Sequence, residues 1–334
     1  MRLRMKLFFI LMFIVCFNHL LYPGKIITLN EVLEPYYISV SSDRIYIAER
    51  TSVIIYSIKD FTFIKRAGRR GVGPGEFQVI MGITSGPGYV TVSGPGRICF
   101  FNSNGDNLRE LKSTTFSTYF APIGDKFVSS DTLDVNKIGY YTINIFDSKL
   151  TKGKELCRYK RMMQRSGSFN PIKTGSDFFV SENIIFINGE DDHIHCYNEN
   201  GEKIRSIKID SKYVKITGEF KKRYINYLKN HRKLKIVYEM YKNRIRFPGY
   251  FPLIKYFRVA DKRIYVITHQ KKDHRHECLV LNFMGKVLYK TFLTIRFKSL
   301  DSPYPFDIKN NKFYQIVEDD EEETNRLYID EIAE

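Results

Sequence analysis

The stretch Gly68-Arg69-Arg70-Gly71-Val72-Gly73-Pro74-Gly75-Glu76-Phe77 joins two segments of strand-like sequence. Its four glycines and one proline in ten residues cannot continue a regular element. They mark a tight crossover in which glycine supplies positive φ. Upstream, Pro35-Tyr36-Tyr37-Ile38-Ser39-Val40-Ser41-Ser42-Asp43-Arg44-Ile45-Tyr46-Ile47-Ala48-Glu49 reads as two short apolar strands around a polar turn. Downstream, residues 77–84 read as another strand. A dinucleotide loop would open a helix, so that amides and dipole face the phosphate, and a P-loop would carry Gly-Lys-Ser/Thr. Neither context is present, so no phosphate cradle is expected.

Internal periodicity extends the reading along the chain. Asn102-x-x-Gly105, Asn198-x-x-Gly201 and Asn282-x-x-Gly285 are one turn used three times. Each follows an apolar strand, such as Ile98-Cys99-Phe100-Phe101, and precedes another. Asparagine closes such a turn through its side chain and glycine takes the left-handed conformation. Gly105 and Gly201 are 96 residues apart, two units of about 48. Gly201 and Gly285 are 84 apart, one unit plus an insertion. A second strand recurs at 44–49, 89–93, 126–130, 183–188, 263–269 and 312–317, which makes six units. The innermost strands fall near 36–40, 80–84, 118–122, 177–180, 254–259 and 304–308. Four strands per unit, repeated radially, describe a propeller.

The crossover and the unit before it resemble an NHL-type repeat. The resemblance implies a six-bladed β-propeller of the kind many exported bacterial proteins carry. The expected fold is therefore all-β, a six-bladed β-propeller over residues 25–332 with a helical insertion between blades four and five. Later crossovers lack the Gly-Pro-Gly-Glu-Phe pattern. The last unit supplies three strands before the chain ends, and residues 25–29 belong to no unit. Ring closure by the N-terminal strand is expected, since it removes an open edge.

With 43% hydrophobic and 15% aromatic residues the chain can build a large core, which excludes general disorder. Arg2, Arg4 and Lys6 precede an apolar run over residues 7–17. Residues 1–22 read as a secretory signal peptide or N-terminal anchor, so an exported, periplasmic or cell-surface protein is expected. Cys16 raises lipidation, although Val15 is not the small residue a lipobox places there. Cys99, Cys157, Cys196 and Cys278 fall in different repeats and are expected to be buried free thiols.

The net charge is +16, and without Arg2, Arg4 and Lys6 it is +13. Residues 211–247 hold twelve Lys and Arg against Glu219 and Glu239. Phe220, Tyr224, Tyr227 and Leu228, then Val237, Tyr238, Tyr241 and Ile245, recur at helical spacing. One broken helix or a helix pair is expected, ended by Pro248. Its Lys221, Lys222, Arg223, Lys229, Arg232 and Lys233 are the candidate binding residues for an anionic partner: lipid headgroups, an acidic polysaccharide or an acidic protein face. The bland alternative is a solvated helix whose aromatic residues pack on the propeller. Resemblance to NHL propellers also brings RNA binding to mind, but an exported chain meets no nucleic acid.

Catalytic signals are thin. His193 and His195, and His274 and His276, are His-x-His pairs on hairpins, read as solvated tips rather than as metal sites. The run Glu318-Asp319-Asp320-Glu321-Glu322-Glu323 reads as a charged hairpin. The inner strands offer Asp177 and Asp307, and no Ser/His/Asp arrangement is apparent. No catalytic residue, metal ligand or cofactor is assigned. The expected function is a monomeric exported binding or scaffold protein whose partner is a protein or an anionic envelope component, with peripheral membrane contact as a further option. The alternative is a lactonase-like hydrolase or lyase with a metal, calcium foremost, at the central channel.

Overall fold

Alternating apolar strands of four to ten residues cannot bury both faces alone, so they stack as sheets. The computed structural model describes residues 24–112, 119–162, 167–172, 177–300, 302–319 and 321–333. The leader expected at residues 1–22, with Cys16, lies outside these residues, as do Thr118 and Asp320. Six four-stranded antiparallel sheets form the six blades of a propeller. Their innermost strands are Tyr37–Val40, Gly82–Gly86, Tyr119–Ile123, Phe178–Ser181, Tyr256–Ala260 and Phe306–Lys309. Six apolar clusters fill the six spaces between neighbouring blades.

The connection from the third to the fourth strand repeats in blades 1 to 5. Asn102 Oδ1 accepts the amides of Asn104 and Asp106 at 3.0 and 2.8 Å, while Gly105 sits at φ 81°. Asn198 and Gly201, then Asn282 and Gly285, reproduce this geometry. Blade 3 makes the same turn with Asp147, whose Oδ1 accepts from Lys149 and Thr151, and with Leu150 at φ 62°. Blade 1 makes a version one residue longer, in which Ser57 Oγ accepts the Lys59 amide, Asp60 Oδ1 accepts the Thr62 amide and Phe61 takes φ 61°. Three residues beyond each left-handed position the outer strand skips one partner, at Ile64, Leu108, Gly153, Ile204 and Leu288. Such bulges twist an edge away from stray pairing.

Blade 6 has no such turn, because its outer strand comes from the other end of the chain. Lys25–Leu29 pairs antiparallel with Thr324–Glu331, with Ile27 opposite Leu327 and no register shift. Leu29 and Val32 enter a cluster with Ile38, Ile45 and Ile54 of blade 1 and Leu327 and Ile329 of blade 6. Buried Asn325 donates its amide to the carbonyls of Val32 and Leu33 at 2.8 and 3.2 Å. Glu49 accepts the Leu33 amide at 2.6 Å. The chain is thus tied to both blades as it passes from one to the other. All six sheets and clusters are built from residues 25–332.

Turns within the blades alternate between two ends of the ring. One end, the turn face, carries the Asn-x-x-Gly turns. The other, the crossover face, carries the connections between blades. On that face the insertion folds as a helix pair, α1 (Gly218–Asn230) and α2 (Lys235–Tyr241). Thr217 caps α1 by accepting the Phe220 amide at 3.2 Å. Leu228 and Tyr241 meet Phe169, from the blade 3–4 crossover, in a separate small core. Phe169 exchanges backbone hydrogen bonds with Arg244 and Arg246 at 3.1 and 2.9 Å.

The first crossover departs from expectation. Residues 77–84 are not one strand: Glu76–Phe77 pairs in parallel with Arg69–Arg70, and the inner strand begins at Gly82. Phe77 and Ile80 are buried between blades 1 and 2, which anchors the chain while it travels from rim to axis. All four cysteines described are free; Cys99, Cys196 and Cys278 are buried, but Cys157 is only half-buried.

Leu29 is 1% exposed and Ile26, on the same strand, 52%. Leu29→Ala is expected to lower stability by about 2–5 kcal/mol, and Ile26→Ala by no more than about 0.5 kcal/mol. Denaturant unfolding of both variants checks this. Equal effects would contradict burial of this strand in the closing seam.

Candidate functional site: the central channel and the basic insertion

The six inner strands enclose a channel of about 950 Å³. Each blade junction is bridged at its wall. Ser39 donates its hydroxyl to Ser85 at 2.9 Å, and the Thr84 and Tyr119 hydroxyls lie 2.9 Å apart. Tyr119 packs on Phe178 with ring centroids 5.2 Å apart. The Arg258 guanidinium stands 5.0 Å from the Phe179 ring and donates to the Phe306 carbonyl at 3.1 Å. Asp307 completes the circuit by accepting the Val40 amide at 2.8 Å.

Arg258 is the charged centre of the channel. It lies 4.1 Å over the Phe306 ring, with Nε 3.9 Å from Asp307. Burial lowers its pKa, opposed by Asp307 and then Asp177. Burial raises the Asp307 carboxyl, and Arg258 pulls it back. Asp177 keeps an open surface, yet that surface faces the channel and the enclosing strands still push its carboxyl up, again against Arg258. The sequence signal for Arg258 is a lone charge in the apolar strand Tyr256-Phe257-Arg258-Val259. Asp177 and Asp307 stand out on the inner strands in sequence, but nothing in the pattern links Arg258 to them.

The glycine-rich crossover fills itself. Glu76 accepts the Gly73 amide at 2.9 Å and the Arg69 guanidinium at 2.7 Å. The amide first and the guanidinium second hold its carboxyl below the usual range. Arg97 donates to the carbonyls of Val72, Gly73 and Glu76 at 3.0–3.1 Å. A carboxylate of the loop itself takes the place an anion would need, and the adjoining pocket is only about 70 Å³. The loop is a crossover, as its composition indicates.

The histidines divide. His274 is exposed, but His276 is buried with 1% exposure, so blade 5 does not present a solvated His pair. His276 Nδ1 pairs with the Thr268 carbonyl at 2.9 Å, and burial pushes its pKa down to about 4. His269 stacks on Phe251 with centroids 4.3 Å apart and is pushed down to about 2. In blade 4, Asp191, His195 and Ser206 do line up: His195 Nε2 is 3.1 Å from Asp191 and Nδ1 is 3.0 Å from Ser206 Oγ. This clasp joins the third strand to the outer strand of the blade, where Ser206 is exposed, and neither the channel nor the pocket beside the glycine-rich crossover reaches it. It ties the hairpin to the blade edge. Among the described residues no three His, Cys, Asp or Glu side chains converge as metal ligands.

The six basic candidates lie together on α1 and the link to α2. Lys222, Arg223, Lys229, Arg232 and Lys233 are exposed; Lys221 is half-buried, 5.9 Å from the Phe247 ring. The interleaved tyrosines do not face a partner. Tyr224 packs on Phe247 and Tyr227 on His231, at 5.9 and 5.2 Å between centroids. No helix among the described residues is long and apolar enough to cross a membrane.

No protein-family model and no curated protein matches the sequence. Solved structures similar to it include the computationally designed Ika8 protein, at 10% identity and TM-score 0.42, covering 91% of this chain and 98% of that one. BamB from Moraxella catarrhalis is similar at 10% identity and TM-score 0.39, covering 92% and 98%. BBS1N, solved in complex with ARL6DN, is similar at 12% identity and TM-score 0.42, covering 90% and 78%. At these identities and scores nothing about function follows; the six-bladed fold rests on the six sheets themselves.

Two outcomes follow from this chemistry. Arg258→Leu leaves Asp307 and Asp177 without their counter-charge and should cost up to about 3 kcal/mol, the low end for a broken buried pair because the channel stays open. Arg258→Leu/Asp307→Asn should recover part of it; a costless single change in denaturant unfolding would contradict the pairing. His276 is neutral when folded and titrates near 6.5 when unfolded. The unfolded state therefore binds the proton more readily, and stability falls as pH drops from about 6.5 to about 4. The loss should be about 3 kcal/mol, and His276→Gln should flatten the slope. An unchanged slope would show that His276 is not buried neutral.

Proposed function

We propose that the protein is an exported, monomeric propeller of the NHL-like kind that acts as a binding scaffold and meets an anionic envelope component through residues 211–247. The carrying observation is cations without ion-pair partners, since Arg244 and Arg246 donate to carbonyls of their own segment and Lys229 stands over the Tyr238 ring. Lys222, Arg223, Lys229, Arg232, Lys233, Lys235, Arg244 and Arg246 are exposed, and no carboxylate among the described residues stands within 4 Å of any of them. Only Lys242 is paired, with Glu239 at 2.8 Å. A surface that leaves so many like charges unmatched repels itself and attracts an anionic counterpart. The leader-like residues 1–22 support export, which removes nucleic acid as the counterpart.

The hydrolase or lyase alternative gains less from the geometry. A calcium at the axis would share the channel with the Arg258 guanidinium, and like charges repel. Asp307 already stands 3.9 Å from that guanidinium, and Asp177 acts on the same charge.

Replacing Lys221, Lys222, Arg223, Lys229, Arg232 and Lys233 with Gln removes six charges and keeps helix propensity. Attraction to an anionic surface is about 1 kcal/mol per basic residue, screened by salt. The variant of residues 24–334 should bind phosphatidylglycerol vesicles or heparin at least about a hundredfold more weakly at low salt, with the gap closing as salt rises. Equal binding, or no binding by either protein, would reduce the insertion to packing.

A further inference from the structure

The helix pair carries a second feature beside its charge. Ile236 and Met240 of α2 are 67% and 59% exposed. Single exposed apolar residues are ordinary on a protein surface. These two are four residues apart on one helix, so they form one continuous apolar edge. The opposite side of α2 is already used: Val237, Tyr238 and Tyr241 pack with Leu228 and Phe169. Arg232, Lys233 and Lys235 stand at the N-terminal end of this edge and Lys242 and Arg244 at its C-terminal end, all exposed, while the exposed Glu239 beside it is paired with Lys242.

We infer that α2 docks flat on an anionic lipid bilayer, with Ile236 and Met240 entering the acyl boundary and the flanking cations meeting the headgroup phosphates. The inference rests on the reading above, that residues 211–247 meet an anionic partner, and names that partner. A short helix with an apolar edge and a basic border suits the membrane interface, where both features are satisfied at once. An acidic polysaccharide satisfies the charges but offers an isoleucine and a methionine nothing apolar to enter.

The fold sets the orientation. The helices stand on the crossover face, which is shown by their contacts: Tyr213 donates to Asp192 at 2.5 Å, and Gln270 donates to the Lys212 carbonyl at 2.8 Å. The acidic hairpin of blade 6 is on the same face, so an anionic bilayer is met at a tilt, with the helices nearest. The channel mouth on the turn face then points away from the bilayer.

The protein contains no tryptophan, so one introduced at the apolar edge reports alone. The experiment uses residues 24–334 and vesicles of phosphatidylglycerol mixed with phosphatidylcholine. Ile236→Trp should emit at shorter wavelength on vesicle binding and be quenched by brominated acyl chains. Leu108→Trp, at the blade 2 rim, should do neither. Ile236→Ser/Met240→Ser should lower vesicle binding at least about tenfold, with heparin binding and unfolding unchanged. An unquenched, unshifted Trp, or a serine variant that binds vesicles as tightly as wild type, overturns lipid docking. If the charge variant loses binding in that same experiment, the anionic-partner reading stands and an acidic polysaccharide or protein takes the bilayer's place. If the charge variant also binds normally, both readings fail.

Discussion

The pairing of Lys25–Leu29 with Thr324–Glu331 is the interaction on which the ring depends. Five blades are made from contiguous chain and could stack as an open arc. An arc would expose two blade faces and one bare strand edge, each a cost in apolar surface and unpaired backbone. The seam removes both with one strand. It is held by ladder hydrogen bonds, by the cluster around Leu29 and Leu327, and by buried Asn325 and Glu49 at the passage between blades. The ladder and the Asn325 bonds join residues some 300 positions apart in sequence, so their closure carries the loop entropy of the intervening chain.

A closed ring fixes what its centre can be. Six inner strands point one edge each at the axis, and those edges carry backbone groups that need partners. Here the circuit from Ser39 to Asp307 supplies several of them from side chains. Arg258 supplies the cation at the axis and spans two aromatic rings while doing so. The channel is therefore a structural hub with its charges largely answered within the protein. The crossover face differs. Connections there are free to lengthen without disturbing the blades, and the longest described one has become the helix pair, most of whose cations have no carboxylate partner among the described residues.

Much of the fold was legible because repetition leaves a periodic trace. Asn102, Asn198 and Asn282 with their glycines exposed three units directly, and the unassigned residues 25–29 pointed to closure. The same turn in blade 3, and a version one residue longer in blade 1, were hidden because Leu150 and Phe61 hold the left-handed position that glycine normally takes. In blade 3 the Asp147 side chain performs the asparagine's task, and in blade 1 Ser57 and Asp60 divide it. Only hydrogen bonds, not residue names, show the equivalence. At the candidate site the basic character of 211–247 was legible from composition, and packing of its aromatic residues was legible as the alternative, while the residues they pack on were not. Tyr224 and Tyr227 alternate with cations in sequence yet turn inward, since partners such as Phe247 come from beyond the helix. Arg258 was harder still, because Phe179, Asp307 and the Phe306 carbonyl, which give it its place, come from other blades. His276 read as a hairpin tip, but the blade 5 hairpin extends further than its polar sequence suggests and buries it against Phe297.

If the N-terminal strand closes the ring, it opens only when blade 6 opens. Hydrogen exchange of the native protein, resolved by peptide mass, measures this directly. Amides of Lys25–Leu29 are predicted to exchange as slowly as those of Lys312–Asp319, the interior strand two positions away in the same blade. Exchange of residues 25–29 at the rate of a free terminus, with blade 6 still protected, would contradict the account.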